Sequence, residues 1–122
     1  MDRTFALTGA VLAFLGVALG AFGAHGLAGR VPPADLEIFE TGARYHMYHA
    51  LALLLVSWAA TRWPGGTVHL AGWLFVAGTV LFSGSLYLLV LTGQRWLGAV
   101  TPLGGVALLL GWGLLAWRIF RG

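Results

Sequence analysis

The sequence predicts an all-α fold, a bundle of four transmembrane helices with a short amphipathic segment between the first two. Hydrophobic residues make up 59% of the 122 residues and charged residues only 9%, whereas a soluble domain carries about 25% charged residues. The charges divide the chain into apolar stretches, and crossing a bilayer takes about 20 such residues. Turn-forming residues separate the stretches. The length is that of a single domain, residues 1–122.

The apolar stretches give four spans. Arg3 and Arg30 enclose 26 residues without formal charge. The 32 residues between Arg62 and Arg95 contain the turn sequence Trp63-Pro64-Gly65-Gly66-Thr67 and therefore hold one span. The expected spans are residues 5–27, 45–61, 68–91 and 97–117. A signal peptide is not favoured for the first, because its apolar run exceeds the core of about 7–15 residues found in such peptides.

The segment between the first two spans is the one long polar connection. Pro32-Pro33 can start a helix, and Asp35, Glu37 and Glu40 suit its first turns. We expect a short amphipathic helix that either lies along the outer interface or runs directly into the second span, with Gly42 as the bend.

Arginine supplies all seven basic residues and sets the predicted orientation. An even number of spans leaves both termini on one side, together with Arg3, Arg62, Arg118 and Arg121, while Arg30, Arg44 and Arg95 lie on the other. Because basic residues stay on the cytoplasmic side, we predict cytoplasmic termini.

Glycines predict close helix packing. Four glycines fall within about 60° of arc on the first helix, namely Gly9, Gly16, Gly20 and Gly23. On the fourth helix Gly104 and Gly111, seven residues apart, share a face in the same way. Gly16 and Gly20 have the small-xxx-small spacing that lets two helix backbones approach. The partner is either another helix of the same chain or a second copy in a homo-oligomer, and the spacing does not separate these readings.

Polar residues gather in the outer half of the predicted bundle. They are His25, Glu40, Arg44, Tyr45, His49, Ser83, Ser85, Tyr87 and Thr101. Polar groups inside a bilayer usually face the bundle interior and mark function. We therefore predict a binding cluster for a lipid headgroup, a small solute or a partner, with membrane lipids as the general surroundings.

Simpler explanations exist for several of these residues. His46 and His49 have the spacing of a metal-ligand pair, but no carboxylate completes a site, so no metal is predicted. Glu40 and Arg44 can form a stabilising pair within one helix. Ser83 and Ser85 can bond their own backbone. Thr101-Pro102 either starts the fourth helix or kinks a longer one.

Catalytic signatures are absent from the sequence. It has no cysteine, no G-x-S-x-G, no H-E-x-x-H, no nucleotide-binding loop and no basic patch typical of nucleic-acid binding. The prediction is a non-enzymatic protein with no catalytic residues and no cofactor. The alternative is a small oligomeric transporter or channel that moves a proton or cation past His25 and His49.

Four motifs in order resemble one family. They are Ala18-Leu19-Gly20-Ala21-Phe22-Gly23-Ala24-His25, then Thr41-Gly42 with Tyr45 and His49-Ala50-Leu51, then Phe82-Ser83-Gly84-Ser85-Leu86-Tyr87, and Thr101-Pro102-Leu103-Gly104-Gly105. The chain resembles the domain of unknown function 423 family, also called uncharacterised protein family 0382, whose eukaryotic relative is transmembrane protein 256. The resemblance implies a small multi-pass protein of the bacterial inner membrane and implies no substrate. Glutamine is frequent at position 46 in that pattern.

Overall fold

The computed structural model describes residues 2–122, and this part of the chain is helical apart from short turns. The long helices are α1 (Arg3–Phe22), α2 (Pro33–Arg62), α3 (Gly66–Thr92) and α4 (Thr101–Arg121). A π-helical turn (Gly23–Leu27) follows α1, and a 3₁₀ segment (Arg95–Ala99) precedes α4. The predicted all-α fold is confirmed.

The helices pack in chain order. Helices α2 and α3 form the central pair, α1 lies against α2, and α4 lies against α3. Within residues 2–122, α1 and α4 share no extended contact. The bundle therefore has two different sides, one between α1 and α3 and the other between α2 and α4.

Hydrogen bonds fix which chain ends lie together. The backbone N–H of Asp2 donates to the carbonyl of Ser57, near the end of α2. The guanidinium of Arg118 donates to the carbonyl of Pro64, in the turn between α2 and α3. Both chain termini thus lie at one end of the bundle, which we call the terminal end. The π-helical turn and the 3₁₀ segment lie at the opposite end, the loop end.

Three helical stretches are long and apolar enough to cross a membrane: Arg3–Leu27, Gly66–Thr92 and Arg95–Arg121. Large apolar side chains cover the outside, as expected for contact with lipid; Phe14 is 74% exposed and Leu109 is 73% exposed. Helix α2 is not among the three; its first turns are charged, and the apolar stretch that follows begins with several histidines and tyrosines. The prediction that α2 also crosses the membrane stays a prediction.

The segment before the second span does not form a separate helix. Helix α2 runs without interruption through Gly42, so the predicted bend there is wrong. Gly42 instead lets α3 approach closely, since a Cβ at this position would lie 3.1 Å from the ring of Tyr87 and 3.3 Å from the Cβ of Leu86. The side-chain hydroxyl of Ser83 donates to the carbonyl of Gly42 at 2.7 Å.

The predicted packing glycines fall into different environments. A Cβ on Gly104 would lie 2.3 Å from the backbone nitrogen of Phe82, and a Cβ on Gly9 would lie 2.8 Å from the carbonyl oxygen of Ala50. At these two levels the helix backbones touch. Three more of the predicted glycines contact another helix, chiefly its side chains. Gly16 faces Met47 and His46, Gly23 faces Phe39, and Gly111 faces Phe75.

Gly20 does not fit the expectation of close contact. Nothing lies within 4 Å of a Cβ placed there. The side of α1 that faces α2 follows Gly9, Gly16 and Gly23, which are seven residues apart. Gly20 is rotated by about 40° from Gly16, and it therefore lies beside this contact stripe instead of within it.

Candidate binding sites

The residues predicted to cluster separate into a buried and an exposed set. His49, Ser83, Ser85 and Tyr87 are buried and Thr101 is half-buried, whereas His25, Glu40, Arg44 and Tyr45 are exposed. His25 lies in the π-helical turn beyond α1, so the structure does not place it in the interior with His49. Among residues 2–122 an ion pair joins Asp35 to Arg95, Asp2 lies 3.0 Å from His69, and Glu40 and Arg44 are not paired.

His46 links three helices. Its Nε2 lies 2.7 Å from the carbonyl oxygen of Leu12 on α1, and its Nδ1 lies 2.9 Å from the hydroxyl of Tyr87 on α3. Because a carbonyl can only accept, Nε2 carries the hydrogen in the neutral ring, and Nδ1 accepts from the Tyr87 hydroxyl. Gly16 makes room for this ring, since a Cβ there would lie 3.4 Å from the Cδ2 of His46.

His49 has the opposite tautomer. Its Nδ1 lies 2.7 Å from the carbonyl oxygen of Tyr45 and must donate to it. Its Nε2 accepts the indole N–H of Trp112 on α4 at 3.0 Å. The ring centroid of Phe75 lies 5.5 Å from His49 and 4.7 Å from Trp112, so the hydrogen bond sits inside an aromatic cluster.

The two histidines therefore bond to different neighbouring helices. All four ring nitrogens are hydrogen-bonded, and one ring points to α1 while the other points to α4. Their spacing does not produce a metal-ligand pair. In residues 2–122 no group of three or more His, Cys, Asp or Glu side chains is placed to hold a metal ion.

The buried serines join helices. Ser83 bonds to α2, and the hydroxyl of Ser85 lies 2.6 Å from that of Thr101 and donates to the carbonyl of Phe82 at 2.9 Å. Thr101 is the first residue of α4, and Pro102 lies in its first turn. Of the two readings of Thr101-Pro102, the structure has the helix start and not the kink.

A groove of about 530 Å³ lies between α2 and α4. Its lining consists of Thr41, Tyr45, His49, Phe82, Pro102, Gly105, Val106, Leu108, Leu109 and Trp112. The bond between His49 and Trp112 crosses it, and Phe82 of α3 contributes to its wall. The hydroxyl of Thr41 donates to the carbonyl of Glu37. The groove therefore presents mostly hydrocarbon and aromatic surface.

A crevice of about 190 Å³ lies on the other side, between α1 and α3. It is lined by Leu12, His46, Thr79, Val80, Ser83, Gly84 and Tyr87. Thr79 is 3% exposed, and in residues 2–122 its Oγ1 is the one buried side-chain polar atom without a hydrogen-bond partner in the chain. The oxygen of this hydroxyl has almost no accessible surface, so the crevice presents mostly apolar surface.

A further cluster of polar contacts, centred on Asp2, lies at the terminal end. Oδ1 of Asp2 accepts the backbone N–H of Phe5 at 3.2 Å, and Oδ2 lies 3.0 Å from Nε2 of His69. The Phe5 N–H and, to a smaller extent, His69 lower the pKa of Asp2 below its ordinary value. Ser57 donates its hydroxyl to the carbonyl of Asp2 at 2.6 Å. Asp2 thereby ties the start of α1 to α2 and α3.

Sequence reasoning missed three of the residues that shape these sites. Thr79, Phe82 and Trp112 were not predicted, and His46 was considered only as a metal ligand. Trp112 carried a usable signal, because it lies near the middle of a span, where its indole N–H needs a partner. Thr79 carried none, since a threonine in a helix can bond its own backbone.

The fold and these sites define a small all-helical membrane protein with a pocket on each side of its central helix pair. A sequence profile of the family described as "Protein of unknown function (DUF423)" matches residues 19–105. The chain belongs to this family, and the resemblance drawn from its motifs is confirmed.

Curated relatives extend the match over most of the chain. The chain is 54% identical over 111 residues to the UPF0382 membrane protein YwdK of Bacillus subtilis (strain 168), covering 90% of each protein. It is 44% identical over 119 residues to the UPF0382 membrane protein SAB0533 of Staphylococcus aureus (strain bovine RF122 / ET3-1), covering 98% of this chain and 97% of that one. No solved structure matches.

Proposed function

We propose that this chain is a four-span protein of the bacterial cytoplasmic membrane that binds one hydrocarbon chain of a membrane amphiphile in the groove. The amphiphile's polar head would lie at the loop end. The observation that carries the proposal is the groove itself, about 530 Å³ of mostly apolar space between α2 and α4. Ligand pockets commonly measure about 300–1,000 Å³ and combine apolar walls with a few polar groups.

Packing supports a fourth span. Helix α2 lies between α1 and α3, and both have the length and composition of membrane spans. Near the terminal end Asp2 bonds to Ser57, and toward the loop end Gly23 meets Phe39. The part of α2 between Phe39 and Ser57 therefore runs alongside the whole of α1. This parallel course supports the proposal that α2 crosses the same hydrocarbon layer.

The shape of the groove favours an extended apolar chain. Thr41 and His49 are eight residues apart on α2, so the groove descends about 12 Å from the loop end to the His49–Trp112 bond. Because the His49 nitrogens are already hydrogen-bonded, the deep part offers no free polar group to a solute. A hydrocarbon chain needs none.

The mouth of the groove suits a polar head. Thr41 and Tyr45 line it near the loop end, and the exposed Arg44 lies between them in sequence. An arginine at this position favours an anionic head such as a phosphate. This reading assigns Arg44 and Tyr45 of the predicted binding cluster to the headgroup, and it leaves His25 outside the site.

Groove-filling variants test the binding. Val106 lines the groove, and Leu110, one turn further along α4, does not. The variant Val106→Trp would fill the groove, whereas Leu110→Trp adds the same indole on the exposed surface of α4. In bilayers that contain a phosphatidylglycerol with a diazirine on one acyl chain, light should cross-link the parent protein at groove residues of α2 and α4.

We expect several-fold less cross-linking at the groove residues for Val106→Trp and parent-like cross-linking for Leu110→Trp. Equal cross-linking in the two variants, or cross-links spread evenly over the outer faces of α1 and α4, would contradict the proposal. Melting temperatures of both variants must stay near that of the parent for the comparison to hold.

Orientation forms part of the same proposal, with both termini in the cytoplasm. The chain has no cysteine, so single cysteines can report sidedness. Gly122→Cys and Ala34→Cys change exposed positions at the terminal end and near the loop end. An impermeant thiol reagent should label position 34 in intact cells and position 122 only after permeabilisation. Labelling of both in intact cells would indicate dual topology.

Gly20 supports a homo-oligomer. It has the small-xxx-small spacing with Gly16, yet nothing in residues 2–122 fills the space beside it, so a second copy can pack there. Gly20→Leu should leave the melting temperature of the protomer unchanged and reduce the mass of the protein in detergent solution. An unchanged mass would place Gly20 against lipid.

A further inference from the structure

We propose that the turn between α2 and α3 binds the phosphate of an anionic phospholipid, with Arg62 and Arg118 as the binding residues. This turn, residues 63–65, lies at the terminal end, whereas the mouth of the groove lies toward the loop end. The proposal depends neither on what the groove binds nor on which side of the membrane the termini occupy.

Side-chain charge is distributed unevenly between the two ends of the bundle. The terminal end has one carboxylate, that of Asp2, and four arginines, namely Arg3, Arg62, Arg118 and Arg121. Toward the loop end three arginines are balanced by three carboxylates, namely Asp35, Glu37 and Glu40. The formal net charge of +3 therefore belongs to the terminal end. Basic residues at a membrane surface attract anionic lipids.

In the part of the chain that the structure describes, no carboxylate neutralises the terminal-end arginines. The one ion pair that involves an arginine joins Arg95 to Asp35 at the loop end. Asp2 accepts the backbone N–H of Phe5 and lies 3.0 Å from His69. The positive charge at the terminal end is therefore available to an anion from outside the chain.

Two of these arginines meet at the turn. The guanidinium of Arg118, on α4, donates to the carbonyl oxygen of Pro64 at 3.2 Å. Arg62 precedes Pro64 by two residues, and its guanidinium carbon lies 5.3 Å from the ring centroid of Trp63. A guanidinium has five N–H donors, so the bond to Pro64 leaves Arg118 with donors to spare. Arginine binds phosphate oxygens by paired hydrogen bonds, and two arginines beside one turn can share one phosphate.

Aromatic side chains place the turn at the level of lipid headgroups. Trp58, one turn before Arg62, is exposed, and its ring centroid lies 5.6 Å from that of Trp63. On α4 the exposed Trp117 stacks on Phe120 at a centroid distance of 6.2 Å. Because tryptophan rings concentrate at the membrane–water interface, the phosphate that the turn meets is that of a lipid.

The excess of positive charge selects the class of phospholipid. A zwitterionic lipid brings an ammonium group together with its phosphate, and that group would meet arginines without a free carboxylate to receive it. In an anionic lipid such as phosphatidylglycerol nothing offsets the phosphate charge. The turn should therefore prefer anionic lipid.

Solid-state nuclear magnetic resonance on the full chain in bilayers tests the proposal. Arginine is labelled with ¹³C at the guanidinium carbon, and the buffer contains no phosphate, so lipid is the one source of phosphorus. Dephasing of a carbon signal by ³¹P identifies a guanidinium in contact with lipid phosphate. The chain has seven arginines and no lysine, so each Arg→Lys variant assigns one signal while keeping the charge.

In phosphatidylcholine bilayers that contain some phosphatidylglycerol, two carbons should be strongly dephased. One should disappear in Arg62→Lys and the other in Arg118→Lys. Arg30→Lys, which changes an exposed arginine at the loop end, is the matched control and should preserve both. Val106→Trp should also preserve both, because filling the groove does not change the turn. In pure phosphatidylcholine the dephasing should be several-fold weaker.

Three results would overturn the proposal. Absence of strongly dephased carbons in the parent would do so without any variant, and dephasing of Arg30 as strong as that of Arg62 would indicate ordinary contact with the bilayer surface. Equal dephasing in pure phosphatidylcholine would remove the preference for anionic lipid.

Inorganic phosphate is the other source of the same chemistry. Added to the protein in dodecyl maltoside, which contains no phosphorus, it should leave the Arg62 and Arg118 carbons without strong dephasing. If inorganic phosphate dephases them as strongly as the lipid does, the turn takes a soluble anion and the assignment to a phospholipid is wrong.

Discussion

The groove and the crevice flank the same pair of helices and differ in how their polar groups are satisfied. In the groove, of about 530 Å³, the lining is mostly apolar, and the two polar side chains His49 and Trp112 bond to each other. In the crevice, of about 190 Å³, His46 and Tyr87 also bond to each other, but Thr79 beside them has no partner. On both sides a hydrogen-bonded pair joins helices, and the unpaired hydroxyl of Thr79 lies beneath the surface of the crevice.

The difference originates in two histidines of one helix. His46 and His49 are three residues apart, which turns their side chains about 60° from each other around α2. One ring reaches α1 and α3, and the other reaches α4. Apolar burial gives helices little reason to associate inside lipid, so packing and such hydrogen bonds hold them together. The same residue type therefore stabilises each side separately.

The largest expected effect is on the groove side. A Cβ at Gly104 would lie 2.3 Å from the backbone nitrogen of Phe82, and neither backbone can yield without moving α4. Gly104→Ala should lower the free energy of unfolding by about 3 kcal/mol or more, at the upper end of overpacking costs. It should also weaken lipid cross-linking in the groove.

Gly113→Ala is the matched control for this change, because Gly113 lies on the same helix with nothing within 4 Å of its Cβ position. Its stability should equal or slightly exceed that of the parent, since alanine favours helix. If Gly104→Ala proves as stable as Gly113→Ala, the close approach of α3 and α4 is not as described. The two sides would then not be mechanically separate.

The crevice side gives a somewhat smaller effect with a chemical control. His46→Leu leaves the hydroxyl of Tyr87 without its acceptor and should cost about 1–3 kcal/mol of stability. Glutamine offers both a donor and an acceptor, as the neutral ring does, so His46→Gln should cost less than about 1 kcal/mol. Unfolding titrations of both variants decide this. A glutamine variant as unstable as the leucine variant would show that ring packing, and not the two hydrogen bonds, is what His46 supplies.

Sequence reasoning reached the fold more fully than the sites. Apolar stretch lengths predict helices, and the structure has a long helix at each of the four expected places, although α2 begins at Pro33 and not near residue 45. The bend at Gly42 failed because glycine also serves close packing, and only the neighbouring helix reveals which use applies. The glycine arc of α1 was predicted as one stripe, yet Gly20 lies outside the seven-residue repeat that faces α2.

The sites depend on contacts between helices that a single sequence does not contain. Helical spacing placed His49, Ser83 and Tyr87 at similar depth, but it could not orient the two histidine rings toward different neighbours. The sequence predicted His25 at the end of the first span. The structure has a π-helical turn at that place, and the side chain of His25 is exposed there. The unpaired state of Thr79 is a property of its surroundings, so no motif could have identified it.

A smaller effect separates the two roles of Trp112. Trp112→Phe keeps an aromatic ring in the groove wall but removes the N–H that Nε2 of His49 accepts. Interhelical hydrogen bonds in membranes contribute about 1 kcal/mol, so stability should fall by about that amount. Lipid cross-linking in the groove should persist. If cross-linking is lost while the protein stays folded, the hydrogen bond shapes the binding site as well as joining the helices.

The smallest expected effect concerns acid pH at the terminal end, where Asp2 ties α1 to its neighbours. The Phe5 N–H and His69 hold the pKa of Asp2 below its ordinary value, which is about 3.9 in an unfolded chain. A lowered pKa in the folded state means that the ionised carboxylate stabilises the fold. This contribution is fully present well above pH 3.9 and is lost as the pH falls through the lower, folded-state pKa.

Thermal unfolding between about pH 6 and pH 3 should therefore show a small decrease in melting temperature for the parent. Asp2→Asn keeps an oxygen that accepts from Phe5 but cannot ionise, so its decrease should be smaller. Equal decreases in the two proteins would mean that other carboxylates, such as Asp35 paired with Arg95 at the loop end, cause the acid sensitivity.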